Sequence, residues 1–446
     1  MSKVLLIITA IILGNSLFES VQAQDEYSIE KKETKGIGTE TDNKSAEKIV
    51  PAVPLPIEQI RVLVEVFHKL KKDYVEELSD ETLMKNAMKG MVENLDPHSS
   101  YLVKEEYKRL QEGTSGEFGG LGIEIGMLKG KLTIISPIDG TPAANAGIQP
   151  GDQIIKIDGM PVKDFSLSKA AKKLRGPPGT AVTLSVLRDQ TSKPMEIKIV
   201  RDIIKTNSVR SRVLEKGYGY IRISQFQEPT GEAVKTHLKD LLSKNNRELS
   251  GLVLDLRNNP GGILSSAVSV ADLFLTDGLI VYTAGRVPGS KLEFYSESAD
   301  ILKGAPIITL INEGSASASE IVAGALQDRG RALIMGRRSF GKGSVQTILP
   351  MNDGSALKLT TARYFTPAGR SIQAEGITPD IAVRKIKALL DTENKSTTKE
   401  SSLERHLKNA ETSVNTTPAV NSSNTLRGEA LLEKDYELFE ALNVLK

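Results

Sequence analysis

The chain has 446 residues, of which 39% are hydrophobic and 26% are charged, a composition typical of a globular protein with roughly two to four domains. Its 58 basic and 56 acidic residues leave a formal net charge of +2, which provides no field to attract nucleic acid or anionic lipid. The chain has no cysteine, which excludes disulfides, thiol chemistry and thiolate metal sites.

Residues 1–23 predict a secretory signal peptide. Lys3 precedes an apolar run from Val4 to Leu13, and small residues near Ala23 suit a cleavage site. An uncleaved anchor is the alternative, although the run is shorter than the roughly 20 apolar residues that span a bilayer. Export favours the periplasm of a Gram-negative bacterium and leaves association with the inner membrane open. Residues 24–54 are polar and aperiodic, which predicts a flexible leader.

Residues 55–115 predict an N-terminal helical region. Apolar residues recur every three or four positions from 57 to 77, and a second such run follows the capping residues Ser79 and Asp80. The region contains the turn sequence LDPHSSY. We interpret His98 in this sequence as part of a structural turn rather than as a chemical group.

Residues 116–204 predict a small α+β domain, because short strands punctuated by glycine alternate with two short helical runs. The run SPIDGTPAANAGIQPGDQIIKIDG and the loop before it resemble a PDZ domain. In that family an extended peptide adds as a strand, and the loop binds its terminal carboxylate. The resemblance assigns this role to Gly120, Leu121, Gly122 and Ile123. Arg175, after the second helix, either reports ligand occupancy or is a solvated partner of the helix dipole.

Residues 205–386 predict an α/β domain on a largely parallel sheet, because strands alternate with helices expected at 229–244, 263–275 and 317–328. Residues 387–430 are rich in Ser, Thr and Asn and predict a polar linker, with a short helix at LERHLKN. Residues 431–446 predict an amphipathic helix that docks on the protein.

The sequence GRRSFGKGS at 336–344 nearly matches a phosphate-binding loop. Two features argue against a nucleotide there. Gly343 stands where a hydroxyl residue should follow Lys342, and the β-branched run after it predicts a strand instead of a helix. A lysine presented by glycines on a turn can instead serve as a general base, provided that a nucleophile lies nearby.

A candidate nucleophile lies in NEGSASASEIVAGALQD, residues 312–328. A strand ends here and a helix begins at about Ser317, so that a serine would be exposed beside the free amides of a helix N-terminus. Taken alone, such a serine is better explained as a helix cap. No histidine lies in a core loop close to this turn, and neither GxSxG nor HExxH occurs. The SxxK spacing occurs in the PDZ-like segment and in the linker, without its companion motifs.

Four motifs in fixed order resemble the carboxyl-terminal processing, or tail-specific, proteases. They are RNNPGG at 257–262, GSASASEIVAGALQD at 314–328, SFGKGSVQT at 339–347 and TPAGRSIQAEGITPDI at 366–381. With the leader helices and the PDZ-like insertion, the resemblance spans residues 55–386. It implies an α/β crotonase-like (ClpP-like) protease core with an inserted PDZ domain, an N-terminal helical segment and a Ser-Lys dyad.

The resemblance also assigns roles to single residues. It places the nucleophile at Ser317, the general base at Lys342 and a residue that positions the base at Gln346. Four residues along a strand is an even step, which predicts that Lys342 and Gln346 point to the same face. The oxyanion hole would be formed by the amide of Ala318 and that of either Gly261 or Gly262. Ser315 and Ser319 are left as capping or packing residues.

In this reaction the lysine must be neutral before it can act as a base. A free lysine is protonated at neutral pH, so the pKa of Lys342 must fall by roughly two to four units for it to accept the serine proton. We expect burial without a carboxylate partner to cause the shift, and the flanking residues SFGKGSV contain no acid.

The sequence therefore predicts an exported serine endopeptidase that binds protein or peptide C-termini through its PDZ domain and cleaves near them, without cofactor or metal. A non-catalytic PDZ module on an inactive core is one alternative, disfavoured because the dyad and its glycines are all present. An acyl-thioester enzyme with a crotonase-like core is another, disfavoured by the PDZ domain and the export signal. The natural substrate and assembly into a homo-oligomer stay open.

Overall fold

A computed structural model of the protein describes residues 55–188, 193–384, 399–407 and 435–446. The predicted signal peptide and leader lie outside these ranges, as does most of the predicted linker. By its internal contacts the chain divides into a unit over Met1–Lys69 and a unit over Leu70–Lys446. Within the described ranges, no helix is long and apolar enough to cross a membrane.

Helices and a short strand come first in the described chain. They are α1 (Ile57–Asp73), α2 (Asp80–Glu93), β1 (Ser100–Leu102) and α3 (Lys104–Ser115). The hydroxyl of Ser79 accepts the Thr82 N–H at 3.2 Å and caps α2. The LDPHSSY turn between α2 and β1 is organised by Asp96, whose carboxylate accepts the N–H groups of His98 and Ser99.

The next part of the chain forms an antiparallel sheet with two short helices. Its elements are β2 (Glu117–Gly120), β3 (Ile123–Leu128), β4 (Lys131–Pro137), α4 (Pro142–Asn145), β5 (Gln153–Ile157), β6 (Met160–Pro161), α5 (Leu167–Leu174), β7 (Ala181–Leu187), β8 (Met195–Val200) and β9 (Asp202–Lys205). The strand order is β3-β4-β5-β7-β8, with β6 on β5, while β2 pairs with β9. The helices bury Ala143, Ala170 and Leu174 in an aliphatic core. Because β3 comes first in the strand order, it lies at an edge of this sheet.

The rest of the described chain builds an α/β core. Its elements are β10 (Val209–Glu215), β11 (Tyr218–Ile223), α6 (Thr230–Lys244), β12 (Gly251–Asp255), α7 (Leu264–Asp272), β13 (Leu279–Gly285), β14 (Glu293–Tyr295), β15 (Ile307–Ile311), α8 (Ala318–Asp328), β16 (Leu333–Gly336), β17 (Ser344–Pro350), β18 (Ala356–Phe365), β19 (Ile381–Ala382) and, at the C-terminus, α9 (Tyr436–Leu445). The main sheet has the order β10-β11-β12-β15-β16-β19. Its neighbouring strands are parallel except for β10 and β11.

Successive side chains of each strand point to opposite faces of the main sheet, so both faces are apolar, and helices cover both. On one face, Leu252 and Leu254 pack in a core with α6, α7 and α8. On the other, Val253 and Ile308 pack against Leu438 of α9. Burial of α9 places the two acids at its start beside Arg257, which bonds Asp435 and Glu437.

The core also contains a second, antiparallel sheet. The alternation of strands and helices in the sequence did not indicate this sheet. β17 and β18 form a hairpin, and β18 also pairs with β13 and with β1. Pairing of Ser100 with Lys358 attaches the N-terminal LDPHSSY segment to the core. The helix predicted at LERHLKN is not present in its described part. A 3-10 turn, Glu400–Ser402, lies just before it and is held by a bond from the Ser402 hydroxyl to the Lys399 carbonyl.

Candidate active site

Ser317 occupies a strained backbone conformation at the start of α8. Its φ is 56° and its ψ is −115°, a region that costs a non-glycine residue about 1–3 kcal/mol. The Ser317 hydroxyl does not cap the helix, because the Glu320 N–H bonds to the Ser317 carbonyl oxygen at 2.8 Å. The serine hydroxyl is therefore left for another use.

The two neighbouring serines hold this turn in place. The buried Ser315 hydroxyl donates to the Leu256 carbonyl at 2.8 Å, and the buried Ser319 hydroxyl donates to the Asn259 carbonyl at 2.9 Å. Both acceptors lie in the loop after β12. The serine turn is thus fixed to the loop that carries the RNNPGG glycines.

Lys342 lies just before β17 and shares a cavity with Ser317. Burial, together with the nearby positive charge of Lys358, lowers the pKa of Lys342 to about 8. The carboxylates of Glu400, Glu320 and Asp96 act in the opposite direction. The residues that flank Lys342 contain no acid, but these three acids come near it from distant segments of the chain. Among the described residues, the Lys342 ammonium nitrogen forms neither a hydrogen bond nor an ion pair.

The cavity has a volume of about 600 Å³ and brings the predicted catalytic and oxyanion residues together. Its wall includes Ser317, Lys342, Gln346, Ala318, Gly261 and Gly262. Apolar side chains form much of the remaining wall, among them those of Leu110, Ile263, Leu264, Ile321 and Ile348. An extended peptide with apolar side chains would therefore contact suitable surface beside the serine.

The two glycines before α7 have different roles. The Gly261 N–H donates to the Asn259 side-chain oxygen at 2.9 Å and is not free for a substrate. The N–H groups of Gly262 and Ala318 bond to no acceptor in the described part of the chain. Gly262 and Ala318 are therefore the pair of donors that face the cavity. Gly261 cannot carry a side chain, because a Cβ would lie 2.7 Å from Ser317 Cβ, and its φ is +98°.

Gln346 lies on the cavity wall but, within the described ranges, forms no hydrogen bond with the base. Its side-chain nitrogen donates to the hydroxyls of Ser344 at 2.9 Å and Thr360 at 3.3 Å. The register between β17 and β18 shifts between Val345 and Gln346, and the extra residue, Thr361, belongs to β18. Lys342 and Gln346 both line the cavity, although Lys342 precedes the strand, and the shared strand face stays a prediction.

Glu320 connects the two halves of the site and was not identified from the sequence. One carboxylate oxygen accepts from the Ser339 hydroxyl at 2.5 Å and the Gly341 N–H at 2.8 Å. The other accepts from the N–H groups of Ser317 at 2.7 Å and Lys342 at 2.9 Å. Complete burial raises the pKa of Glu320 to about 7, although these four bonds favour the charged form. A glutamate three residues into a helix looks like an ordinary capping residue in the sequence.

The PDZ-like loop presents free backbone donors. Leu121 and Gly122 lie between β2 and β3, and their N–H groups form no hydrogen bond within the described ranges. Gly120 ends β2 and Ile123 begins the edge strand β3. Gly122 has a φ of +75°, and a Cβ there would lie 2.3 Å from the Thr141 side chain. The loop can thus direct two amides at a carboxylate beside an open strand edge.

Arg175 lies between this domain and α3. Its guanidinium stacks 4.3 Å from the centre of the Phe118 ring and lies 3.5 Å from the Glu112 carboxylate. This contact joins the two segments. In the described part of the chain, no group of three or more His, Asp or Glu side chains is arranged to hold a metal ion.

Three family models match the chain. The model of peptidase family S41 matches residues 217–383, and the PDZ domain model matches residues 119–199. The model of the activating protease CtpB N-terminal domain matches residues 11–106.

Curated proteins and solved structures are also similar to it. A carboxy-terminal-processing protease of Bartonella bacilliformis is 51% identical over 322 residues, which is 72% of this chain and 74% of that protein. A CtpA-like serine protease of Staphylococcus aureus is 38% identical over 389 residues, 85% of this chain and 76% of that protein. The structure of a photosystem II D1 C-terminal processing protease is 31% identical, covers 72% of this chain and 86% of that chain, and has a TM-score of 0.43.

Proposed function

This chain belongs to the carboxy-terminal-processing proteases of peptidase family S41, and we propose that Ser317 and Lys342 are its nucleophile and general base. The match confirms the resemblance inferred from the four motifs. The protein is a serine peptidase that carries a PDZ domain. The observation that carries the proposed dyad is the shared cavity, which is lined both by a strained serine and by a lysine whose pKa is lowered to about 8.

In the proposed reaction, neutral Lys342 takes the proton of the Ser317 hydroxyl as the serine oxygen attacks a peptide carbonyl. The carbonyl oxygen becomes negative and accepts hydrogen bonds from the Gly262 and Ala318 amides, which face it without reorganisation. The Lys342 ammonium then donates its proton to the leaving amine. Water, deprotonated by the same lysine, hydrolyses the acyl-enzyme and restores Ser317.

Gln346 would position the base only after a change of side-chain conformation, because it bonds Ser344 and Thr360 in this structure. We assign it a supporting role in the cavity wall. The two free amides at Leu121 and Gly122, beside the edge strand β3, support binding of a substrate C-terminus by the PDZ domain. Peptide and protein substrates with free C-termini follow from this assignment.

The cellular setting is also a proposal. The lysine and apolar run at the N-terminus support export to the periplasm of a Gram-negative bacterium, with a cleaved signal peptide or retention at the inner membrane. The strand–helix repeats around a mostly parallel sheet support a crotonase-like (ClpP-like) label for the core. Assembly into a homo-oligomer is testable by light scattering.

An unfolded protein with an apolar C-terminus, offered in free-acid and amidated forms, tests the proposal. The wild type should cleave the free acid faster than the amidated form, while Ser317→Ala and Lys342→Arg should cleave neither. Arginine keeps the charge but cannot be deprotonated, so it cannot replace the base. Cleavage by Ser317→Ala would show that Ser317 is not the nucleophile, and an active Lys342→Arg variant would show that Lys342 is not the base. Equal cleavage of the free acid and the amidated form would show that the substrate carboxylate is not bound.

A further inference from the structure

A short piece of the C-terminal tail, residues 399–407, lies against the loop that carries Lys342. The Glu400 N–H donates to the Phe340 carbonyl at 3.2 Å, and the Glu400 side chain is completely buried. This position lies beyond residues 217–383, the part matched by the S41 family model. A buried carboxylate requires compensating partners, and these partners identify what the segment does.

The Glu400 carboxylate is connected to the lysine loop through one side chain. One of its oxygens accepts from the Gln373 side-chain nitrogen at 2.8 Å. The Gln373 side-chain oxygen in turn accepts the N–H of Gly343 at 3.0 Å, directly after Lys342 in the chain. Gln373 is completely buried, so both bonds are shielded from water. Glu400 thereby orients the amide that fixes the backbone of the base.

A second partner comes from the N-terminal region. The His98 ring nitrogen Nε2 lies 2.8 and 2.9 Å from the two Glu400 oxygens. The Asp96 carboxylate holds the His98 backbone by accepting its N–H at 2.8 Å. The LDPHSSY turn is thus structural, as expected, and its histidine also supports the buried acid. Burial would raise the pKa of Glu400, but the bonds from His98 and Gln373 lower it overall, which keeps the group ionised.

The charge of Glu400 acts on Lys342 without direct contact. Four charged groups influence the lysine: Glu400, Glu320 and Asp96 favour its ammonium form, whereas Lys358 disfavours it. The ammonium is the form that Lys342 takes after it accepts a proton. The fixed negative charge of Glu400 would therefore stabilise the product of proton transfer, as the buried acid does for the base of a Ser-His-Asp triad.

We propose that Glu400 is a positioning residue for the catalytic base: through Gln373 it fixes the Gly343 backbone, and its charge stabilises the Lys342 ammonium formed when the Ser317 proton is transferred. The inference rests on the proposed Ser-Lys dyad. It makes Glu400 part of the active site rather than part of a linker.

The variant Glu400→Gln tests the role of the charge, and Glu404→Gln is a matched control, because Glu404 is exposed on the same segment. The readouts are kcat and KM for peptide cleavage from about pH 6 to about pH 10. We expect the midpoint of the kcat rise to move to lower pH by about half to one unit and the plateau to fall roughly 10-fold in Glu400→Gln. KM should stay near the wild-type value, and Glu404→Gln should match the wild type throughout.

A midpoint that stays at the wild-type pH, or moves upward, would overturn the proposal, even if the rate falls, because a purely structural acid would lower the rate equally at every pH. The variant Glu400→Asp keeps the negative charge but shortens the side chain, so it tests the two effects separately. It also provides a test if Glu400→Gln does not fold. It should keep the wild-type midpoint and lose plateau rate, since the shorter side chain cannot hold Gln373. If Glu400→Asp reaches the wild-type plateau of kcat, Glu400 does not position the lysine loop through Gln373.

The failure of this inference is distinguishable from the failure of the dyad. If Ser317→Ala or Lys342→Arg retains activity, the dyad itself is wrong. If both are inactive and the Glu400 variants show the wild-type pH profile, the dyad stands and the role of Glu400 falls.

Discussion

Replacing Glu320 by glutamine should disable the enzyme, because one carboxylate joins the serine turn to the lysine loop. The two oxygens of Glu320 each accept two hydrogen bonds, from Ser339 and Gly341 on one side and from Ser317 and Lys342 on the other. Glutamine retains the shape but presents an NH₂ group in place of one oxygen. Whichever way the amide turns, at least one buried N–H loses its acceptor.

The magnitude follows from those bonds. An unsatisfied buried N–H costs about 1–3 kcal/mol, and loss of a charged acceptor weakens the remaining bonds, so Glu320→Gln should lose about 2–4 kcal/mol of stability. In a domain of this size that lowers Tm by roughly 5 to 10 °C. Small displacements of Ser317 and Lys342 should reduce kcat by roughly 100-fold even at temperatures where the variant is folded.

The assay combines thermal unfolding with steady-state cleavage. Glu375→Gln is the control, because Glu375 is an exposed carboxylate close to the same loop and should change neither Tm nor kcat. If Glu320→Gln keeps wild-type kcat and Tm, Glu320 does not hold the two halves of the site together, and the account of how the dyad is positioned is refuted.

Three further variants are predicted from the structure. Gly261→Ala should lower kcat/KM by at least roughly 100-fold, because its methyl group would lie 2.6 Å from the Ala316 oxygen and 2.7 Å from Ser317 Cβ; half of wild-type activity would contradict this. Lys358→Met removes a charge that lowers the pKa of Lys342, so the midpoint of the pH–rate profile should move to higher pH, opposite to Glu400→Gln; a lower midpoint would exclude this role. Arg257→Ala removes one of two arginines paired with the buried Asp255, which then keeps only Arg222 and Tyr220, and should cost about 1.5–3 kcal/mol in urea unfolding, which an unchanged midpoint would contradict.

Sequence patterns predicted those parts of the protein that depend on local periodicity. The helix at Ala318–Asp328, the strand after Lys342 and the alternation of strands and helices all have short-range signals. The antiparallel hairpin of β17 and β18 was not distinguished from the parallel sheet, because strand pairing is decided by contacts between segments far apart in the chain.

The electrostatic setting of the base could not be derived from its neighbours in sequence. Glu320, Asp96 and Glu400 precede or follow Lys342 by tens to hundreds of residues, and only the fold brings their charges near it. The same holds for Lys358, which opposes them. An expectation built on the flanking residues SFGKGSV therefore captured burial but missed every charged group that acts on the lysine.

Backbone irregularities account for the other differences. The register shift between β17 and β18 arises from an extra residue on β18, Thr361, which no hydrophobic pattern signals. The positive φ of Ser317 is equally invisible in the sequence, since serine rarely adopts it. Glu400 was hidden by composition, because a polar tail gives no indication that one of its acids is buried.

In the proposed mechanism a neutral Lys342 removes the proton of Ser317. The most direct test is the rate at which a serine-reactive fluorophosphonate labels Ser317 as a function of pH, since labelling requires deprotonation of the serine but no peptide substrate. The account predicts that the labelling rate rises with pH through a midpoint near 8, where Lys342 loses its proton, and that Lys342→Arg is not labelled. A rate independent of pH, or a midpoint near that of free lysine at about 10.4, would contradict it.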